Sequence, residues 1–262
     1  MGDGRPQVVA HRGSSAENAE HTLGAYVAAL DEGADALECD VRLTADGHLV
    51  CVHDRTLKRT AQKRALVSSM ELSELEQLDF ASWKHPWGDL DDEAPDLDPE
   101  YGKVLTMRRL LETVADYGRP VELAIETKHP TRYAGLVERR LVDLLGDFGW
   151  AGADSPARIM SFSWIALRRV RRLAPDLGLV FLMDRSTDWA RVRPFADNDW
   201  IAGPGIKLLR KHPELIRRIH DSGTELHVWT VNTLEDLELC RSLGVSAVIS
   251  DNPGAIRAHL EM

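Results

Sequence analysis

From Met107 to the last residues, short apolar runs alternate with segments of helical periodicity, and this alternation restricts the fold more than any other feature. Extended runs are predicted at 121–126, 158–162, 179–183, 200–202, 225–231 and 246–250. Between and around them lie apolar stripes of helical spacing, at 107–117, 133–148, 165–173, 189–195, 214–222 and 234–243. Strands separated by helices imply crossover connections and a parallel sheet. The amino-terminal part adds Val8-Val9-Ala10 and Ala34 to Val41, with a helix from Thr22 to Asp31 between them and Gly33 at its end. The strand centres Val8, Ala36, Leu123, Ile159, Val180, Ile201, Val228 and Val248 then number eight, enough to close a (β/α)8 TIM barrel. The chain's 262 residues suit that architecture as one domain, 1–262.

Two stretches depart from the alternation. Ala45-Asp46-Gly47 is a tight-turn signal, so Val41 to Val52 is predicted as a hairpin, with the His53 strand either in the barrel wall or an added ribbon. Residues 55–103 form an irregular insertion with a short helix from Ser73 to Leu78, then Trp83, Trp87 and an acidic run from Asp89 to Pro99. The two tryptophans are expected to pin this loop to the barrel.

Active sites of such barrels lie at the carboxyl ends of the strands. His11, Arg12, Glu38, Asp40, His53, Glu126, Lys128, Ser163, Trp229, Asn232 and Asp251 all fall there. Any one of them has a plainer explanation, because a lone histidine at a strand end is usually structural and a Glu-x-Asp pair is usually solvated. Their convergence is the stronger signal. Alternate side chains of a strand share a face, so Glu38 and Asp40 point one way and Cys39 and Val41 the other. Unpaired carboxylates in so apolar a strand would be costly to desolvate. Glu126 ends another apolar run and shares a face with Lys128. Three carboxylates suit one hard divalent cation, Mg²⁺ or Ca²⁺, and not structural zinc. The guanidinium of Arg12 and the ammonium of Lys128 suit phosphate oxygens, and two histidines supply a general acid and a general base near neutral pH. Trp229 is a candidate apolar wall for the substrate. His85, His129, His212, His220, His227 and His259 lack this company and are taken as surface or core residues.

The net charge of −10 disfavours nucleic acid or an anionic membrane as a partner, so an anionic substrate must be held by local positive charge. Three cysteines without metal-type spacing suggest free thiols, and no apolar run reaches signal or membrane-spanning length. A cytoplasmic protein without a membrane anchor of its own is expected.

The motifs His11-Arg12-Gly13, Glu20-His21-Thr22-Leu23, Gly33 to Val41, Thr44-Ala45-Asp46-Gly47, Val52-His53-Asp54 with Arg59-Thr60, Glu126-Thr127-Lys128 and Trp229-Thr230-Val231-Asn232 closely resemble the glycerophosphodiester phosphodiesterase family. The family's Pro-Glu-Asn-Thr stands here as Ala19-Glu20-His21-Thr22; Glu20, and not Glu17, is the matching glutamate, since Thr22-Leu23 follows it. The resemblance implies a barrel of the phospholipase-C-like phosphodiesterase type, an insertion capping the active-site mouth, and a divalent cation at Glu38, Asp40 and Glu126. It implies acid–base catalysis by His11 and His53, assigned here as base and acid. Glu20 would orient Arg12 or a ligand. The expected enzyme hydrolyses a small glycerophosphodiester to glycerol 3-phosphate and an alcohol. A lysophospholipase D acting on a lipid-tailed substrate and a catalytically silent binding barrel are the rivals, the latter disfavoured by the intact set of polar residues.

Overall fold

The strands in chain order are β1 (Gln7–His11), β2 (Ala36–Leu43), β3 (Leu49–Cys51), β4 (Glu122–Thr127), β5 (Ala157–Ser161), β6 (Gly178–Met183), β7 (Ile201–Pro204), β8 (His227–Trp229) and β9 (Ala247–Ser250). They belong to a computed structural model that describes residues 5–84, 99–131 and 133–262. His85, Trp87 and most of the acidic run, Asp89 to Asp98, lie outside the described residues.

Eight of these strands are parallel and hydrogen-bonded in the order β7-β6-β5-β4-β2-β1-β9-β8. Two parallel bridges, Ala202 to Leu226 and Gly205 to Trp229, close the seam between β7 and β8. The result is the predicted, nearly closed (β/α)8 barrel. The strands read as continuous apolar runs because both faces are covered. Their outward side chains, among them Val8, Cys39, Val41, Leu123 and Ile159, pack under the helices. Their inward side chains, Val9, Ala36, Ala124, Met160, Val180, Leu182, Ala247 and Ile249, fill the barrel as a separate cluster.

The helices are α1 (Leu23–Asp31), α2 (Leu72–Leu75), α3 (Met107–Ala115), α4 (Leu136–Asp147), α5 (Trp164–Leu173), α6 (Asp188–Val192), α7 (Ile206–Lys211), α8 (Pro213–Asp221), α9 (Leu234–Ser242) and α10 (Pro253–Leu260). Side-chain caps start five of them: Thr22, Thr106, Ser163, Thr233 and Asn252 each accept a backbone N–H from the first turn. Ser163 is thus engaged as a cap. Among the described residues no helix is long and apolar enough to cross a membrane.

The structure decides the place of the His53 strand. β3 pairs antiparallel with the outer half of β2, Val41 opposite Cys51, and is a ribbon added to the barrel. Gly47, at φ +87°, makes the turn. The expected helix at 73–78 is shorter and shifted, and at its start the Glu74 carboxylate accepts the Glu71 backbone N–H at 2.9 Å. Beneath the insertion a third cluster, including Val50, Val52, Leu57, Val67, Met70, Leu75, Phe80 and Val104, anchors it to the ribbon.

Candidate active site

Register brings the carboxylates together. β1 pairs with β2 so that His11 lies opposite Glu38, and β2 pairs with β4 so that Asp40 lies opposite Glu126. One oxygen from each of Glu38, Asp40 and Glu126 lies within 4.8 Å of the others, and all three residues are buried. Lys128 Nζ stands 3.0 Å from Asp40 and 2.9 Å from Glu126. Arg12 Nε lies 3.1 Å from Asp40 Oδ2, and its Nη1 donates to Glu20 at 3.2 Å. Two cations therefore face three carboxylates in a nearly dry site.

The charge balance shows in the ionisation of these groups. Burial alone would push Asp40 up, but Lys128, the His21 hydrogen bond and Arg12 hold it well below the usual carboxylate range. Burial, reinforced by Asp40, drives Glu38 well up and carries Glu126 to about 8. Buried carboxylates that cannot all ionise beside one another, all offering oxygen, fit a hard divalent cation.

Each histidine has its Nδ1 engaged. His11 Nδ1 is 2.5 Å from Asp251 Oδ1, and His53 Nδ1 is 2.8 Å from Asp54 Oδ1. Among the described residues neither Nε2 has a hydrogen-bonding partner. The His53 carbonyl accepts from Arg42 Nε and Nη2 at 3.0 and 2.7 Å, which fixes the residue beyond the end of β3. Burial lowers the His53 pKa, with Asp40 opposing. Asp251 also accepts from Asn232 Nδ2 at 2.6 Å and Ser15 Oγ at 3.1 Å. Burial would raise its pKa, but His11, Asn232 and Ser15 together lower it to about 2.

A second chain of contacts runs along the mouth. Glu20 accepts from Arg59 Nη1 and Nη2, both at 2.7 Å, and Arg59 Nε donates to Asp54 at 2.8 Å. The Arg59 guanidinium lies 5.5 Å over the Trp83 ring, and Lys84 Nζ donates to the Ser15 carbonyl at 2.9 Å. Glu17 is exposed, whereas Glu20 reaches this network. His21, in place of the family's asparagine, is buried between Asp40 (2.9 Å) and the Tyr26 hydroxyl (2.8 Å). Gly13, at φ +87°, lets this loop pack on α1, where a Cβ would lie 2.6 Å from the Ala25 backbone.

His11, Arg12, Glu38, His53, Glu126, Lys128 and Trp229 line one cavity of about 290 Å³. Asp40 and Glu20 adjoin it through Arg12 and Lys128. Trp229 both packs and lines: its Nε1 donates to the Gly203 carbonyl at 2.8 Å while its ring faces the cavity. A larger hollow of about 500 Å³, beside Tyr117 and Arg119, lies at the amino end of β4 and holds none of these groups.

In the sequence Asp251 and Asn232 stand at strand ends without a role, and Asp54 and Arg59 appear only within a motif, with nothing to pair Arg59 with Glu20. The Asp that directly follows His53 is the one signal that was available. Four of the histidines set aside do have carboxylate neighbours, His129 with Glu138, His212 with Glu214, His227 with Glu225 and His259 with Glu238, none of them lining this cavity.

Residues 11–255 match the model of the Glycerophosphoryl diester phosphodiesterase family. The chain is 43% identical over 262 residues to "Probable glycerophosphodiester phosphodiesterase 1" of Mycobacterium tuberculosis, covering 98% of this chain and 93% of that protein. A glycerophosphodiester phosphodiesterase of Bacillus subtilis is 32% identical over 257 residues, covering 94% and 83%. Among solved structures, an Oleispira antarctica phosphodiesterase in complex with the product sn-glycerol-3-phosphate is similar at a TM-score of 0.81 and 26% identity over 98% of both chains.

Proposed function

The chain belongs to the glycerophosphoryl diester phosphodiesterase family, and we propose that it hydrolyses glycerophosphodiesters to sn-glycerol 3-phosphate and an alcohol with a divalent cation at Glu38, Asp40 and Glu126. The observation that carries the reading is the convergence of two histidines, these carboxylates, Arg12 and Lys128 on one cavity. The cation, Mg²⁺ or Ca²⁺ by ligand chemistry, would neutralise charge on the phosphoryl oxygens when bound.

This chain's own residues supply the rest. Arg12 and Lys128 bring positive charge to the phosphate, where negative charge grows during attack. Glu20 and Asp40 hold Arg12 from two sides, which fixes its fork. His11 takes the proton of the nucleophile through Nε2, and Asp251 on Nδ1 stabilises the imidazolium that results. His53 gives a proton to the departing alkoxide, with Asp54 orienting the ring. Water and the substrate's own glycerol hydroxyl would use the same pair. Trp229 forms an apolar wall beside the reacting group.

The described part of the 55–103 insertion acts as a cap at the mouth, a role that Trp83 and Lys84 support through Arg59 and Ser15. The three cysteines are free and buried, which supports a reducing, cytoplasmic setting. A net charge of −10 supports a small-molecule partner over nucleic acid.

A coupled assay for glycerol 3-phosphate, run on glycerophosphocholine and glycerophosphoethanolamine with EDTA, Mg²⁺ or Ca²⁺, tests the proposal. Release should need a cation and fall by about 10²- to 10⁴-fold in His11→Ala and in His53→Ala. No release from the unaltered protein with either ion would sink it and turn attention to lysophospholipids.

A further inference from the structure

The cavity that holds the proposed catalytic groups does not end at them. Its far wall is Phe162, Leu182 and Asp184, and the same three residues form the near wall of a second hollow of about 370 Å³ that extends along Trp164, Phe181 and Val192. The two hollows share these three residues as a common boundary. A diester whose phosphate sits by Arg12 and Lys128 shares its cavity with this wall, and one of the two groups on the phosphate can meet it.

The boundary has a definite chemistry. Phe162 is 41% exposed and meets Trp229 edge to face, with centroids 5.5 Å apart and planes at 84°. The hydrogen bond from Trp229 Nε1 to the Gly203 carbonyl fixes that indole, so the pair is a pre-set aromatic corner. Asp184 follows the end of β6 and is exposed. Its backbone N–H is taken by Asp188 at 3.2 Å, while its carboxylate has no hydrogen-bonding or ionic partner among the described residues. Asp188 is occupied by the N–H groups of Asp184 and Arg185. Arg185 and Arg191 line the outer hollow and not the catalytic cavity, so Asp184 is the charged side chain that both spaces share beyond the catalytic set.

An unpaired carboxylate in one cavity with an aromatic corner is the chemistry that recognises an ammonium group, by ion pairing and by cation–π attraction. Resting on the diesterase reading above, we propose that Asp184, Phe162 and Trp229 form the alcohol subsite and select diesters whose alcohol carries an ammonium group. The two outer arginines would favour an anionic alcohol instead, so the test includes a diester of glycolate, whose alcohol carries a carboxylate.

The experiment compares kcat/KM for glycerophosphocholine and glycerophosphoethanolamine with that for the neutral glycerophosphoglycerol and for the anionic glycerophosphoglycolate, in the unaltered protein, Asp184→Asn and Phe162→Leu. The cationic headgroups should be favoured. Asp184→Asn should lower the cationic-to-neutral ratio by roughly two- to fivefold, mainly through KM, and the preference should weaken as salt is raised. Phe162→Leu should reduce the choline preference by a similar factor. A neutral or anionic headgroup preferred by the unaltered protein, or an equal change toward all substrates in Asp184→Asn, would overturn the subsite. Absence of hydrolysis of every diester would instead refute the diesterase reading on which it rests.

Discussion

The imidazole of His11 and the carboxylate of Asp251 meet at 2.5 Å although 240 residues separate them in the chain. β1 and β9 are neighbours in the barrel, and both residues stand at the carboxyl edge of that pair. Asp251 is locked by Asn232, which donates to its carboxylate and accepts from its backbone N–H at 2.9 Å. The first prediction follows from this geometry. Asp251→Asn should lower kcat about tenfold to a hundredfold with little change in KM, the range for losing a group that orients another. Held at about 2, Asp251 stays ionised through the range of activity, so it should add no step to the acid limb of a pH–rate profile. Steady-state kinetics of the variant, with a melting curve to show that it is folded, would decide; an unchanged kcat would remove Asp251 from the mechanism.

Arg59 ties the two halves of the mouth. It holds Glu20, which holds Arg12, and it holds Asp54, which holds His53. The side chain is 40% exposed, so solvent weakens its ion pairs, and its value lies in geometry more than in stability. Arg59→Ala should lower kcat/KM by roughly three- to tenfold while leaving the melting temperature close to that of the unaltered protein. Arg59→Lys should recover only part of this, because an ammonium cannot reproduce the fork that reaches both carboxylates. Full activity in Arg59→Ala would show that Glu20 and Asp54 hold their places without it.

Much of the architecture was written in local pattern, and the exceptions have physical causes. All eight barrel strands are legible because each is buried on both faces and reads as an apolar run. The period of two puts Glu38 and Asp40 together, and the same rule in a parallel sheet brings Glu126 to them. α7 starts at Ile206 after Gly203-Pro204-Gly205 without a side-chain cap, so no local signal marked it. α10 does carry one, an Asn252 cap followed by Pro253, but its short stripe of apolar residues leaves the helix weakly marked. The pairings of His11 with Asp251 and Arg59 with Glu20 are products of closure and loop packing. No spacing rule connects residues so far apart, and only the assembled barrel makes them neighbours.

Proton competition at the carboxylate cluster gives a prediction read without any turnover. Burial first, and then Asp40, raise Glu126 to about 8 from an ordinary value of 4.5. A carboxyl raised on folding binds its proton more tightly in the native state. Its contribution to stability is full below pH 4.5 and is lost as pH rises through 8. A cation at the cluster must displace that proton. Titration of Mg²⁺ or Ca²⁺ by calorimetry near pH 7, in buffers of different ionisation enthalpy, should therefore show proton release, and the apparent affinity should weaken as pH falls below 8. Chelation should lower the melting temperature at pH 8 more than at pH 6. Binding without proton release would mean that Glu126 is already ionised and that Lys128 compensates it more fully than burial opposes it.

The opposite end of the barrel carries the last prediction. His227 is buried, with Nε2 3.0 Å from Glu225 and Arg158 nearby. Burial, assisted by the charge of Arg158, lowers the His227 pKa to about 4 from 6.5. The hydrogen bond to His227 is the main cause that brings Glu225 down to about 2. Between pH 6.5 and 4 the unfolded chain takes up a proton at His227 that the folded protein refuses, so stability falls as pH falls through this window. The loss approaches a limit on the order of 3 kcal/mol at the acid end. Glu225 acts lower: its contribution is present above about 4.5 and disappears as pH drops toward 2. Urea unfolding at pH 6.5, 5.5 and 4.5 should show a declining stability in the unaltered protein and a flatter profile in His227→Gln, which keeps a donor for Glu225 without a titrating ring. The carboxylates of the active site are present in both proteins and cancel in the difference. Parallel profiles would show that His227 titrates in the folded state as it does in water, and that the acid sensitivity of the fold has its origin elsewhere.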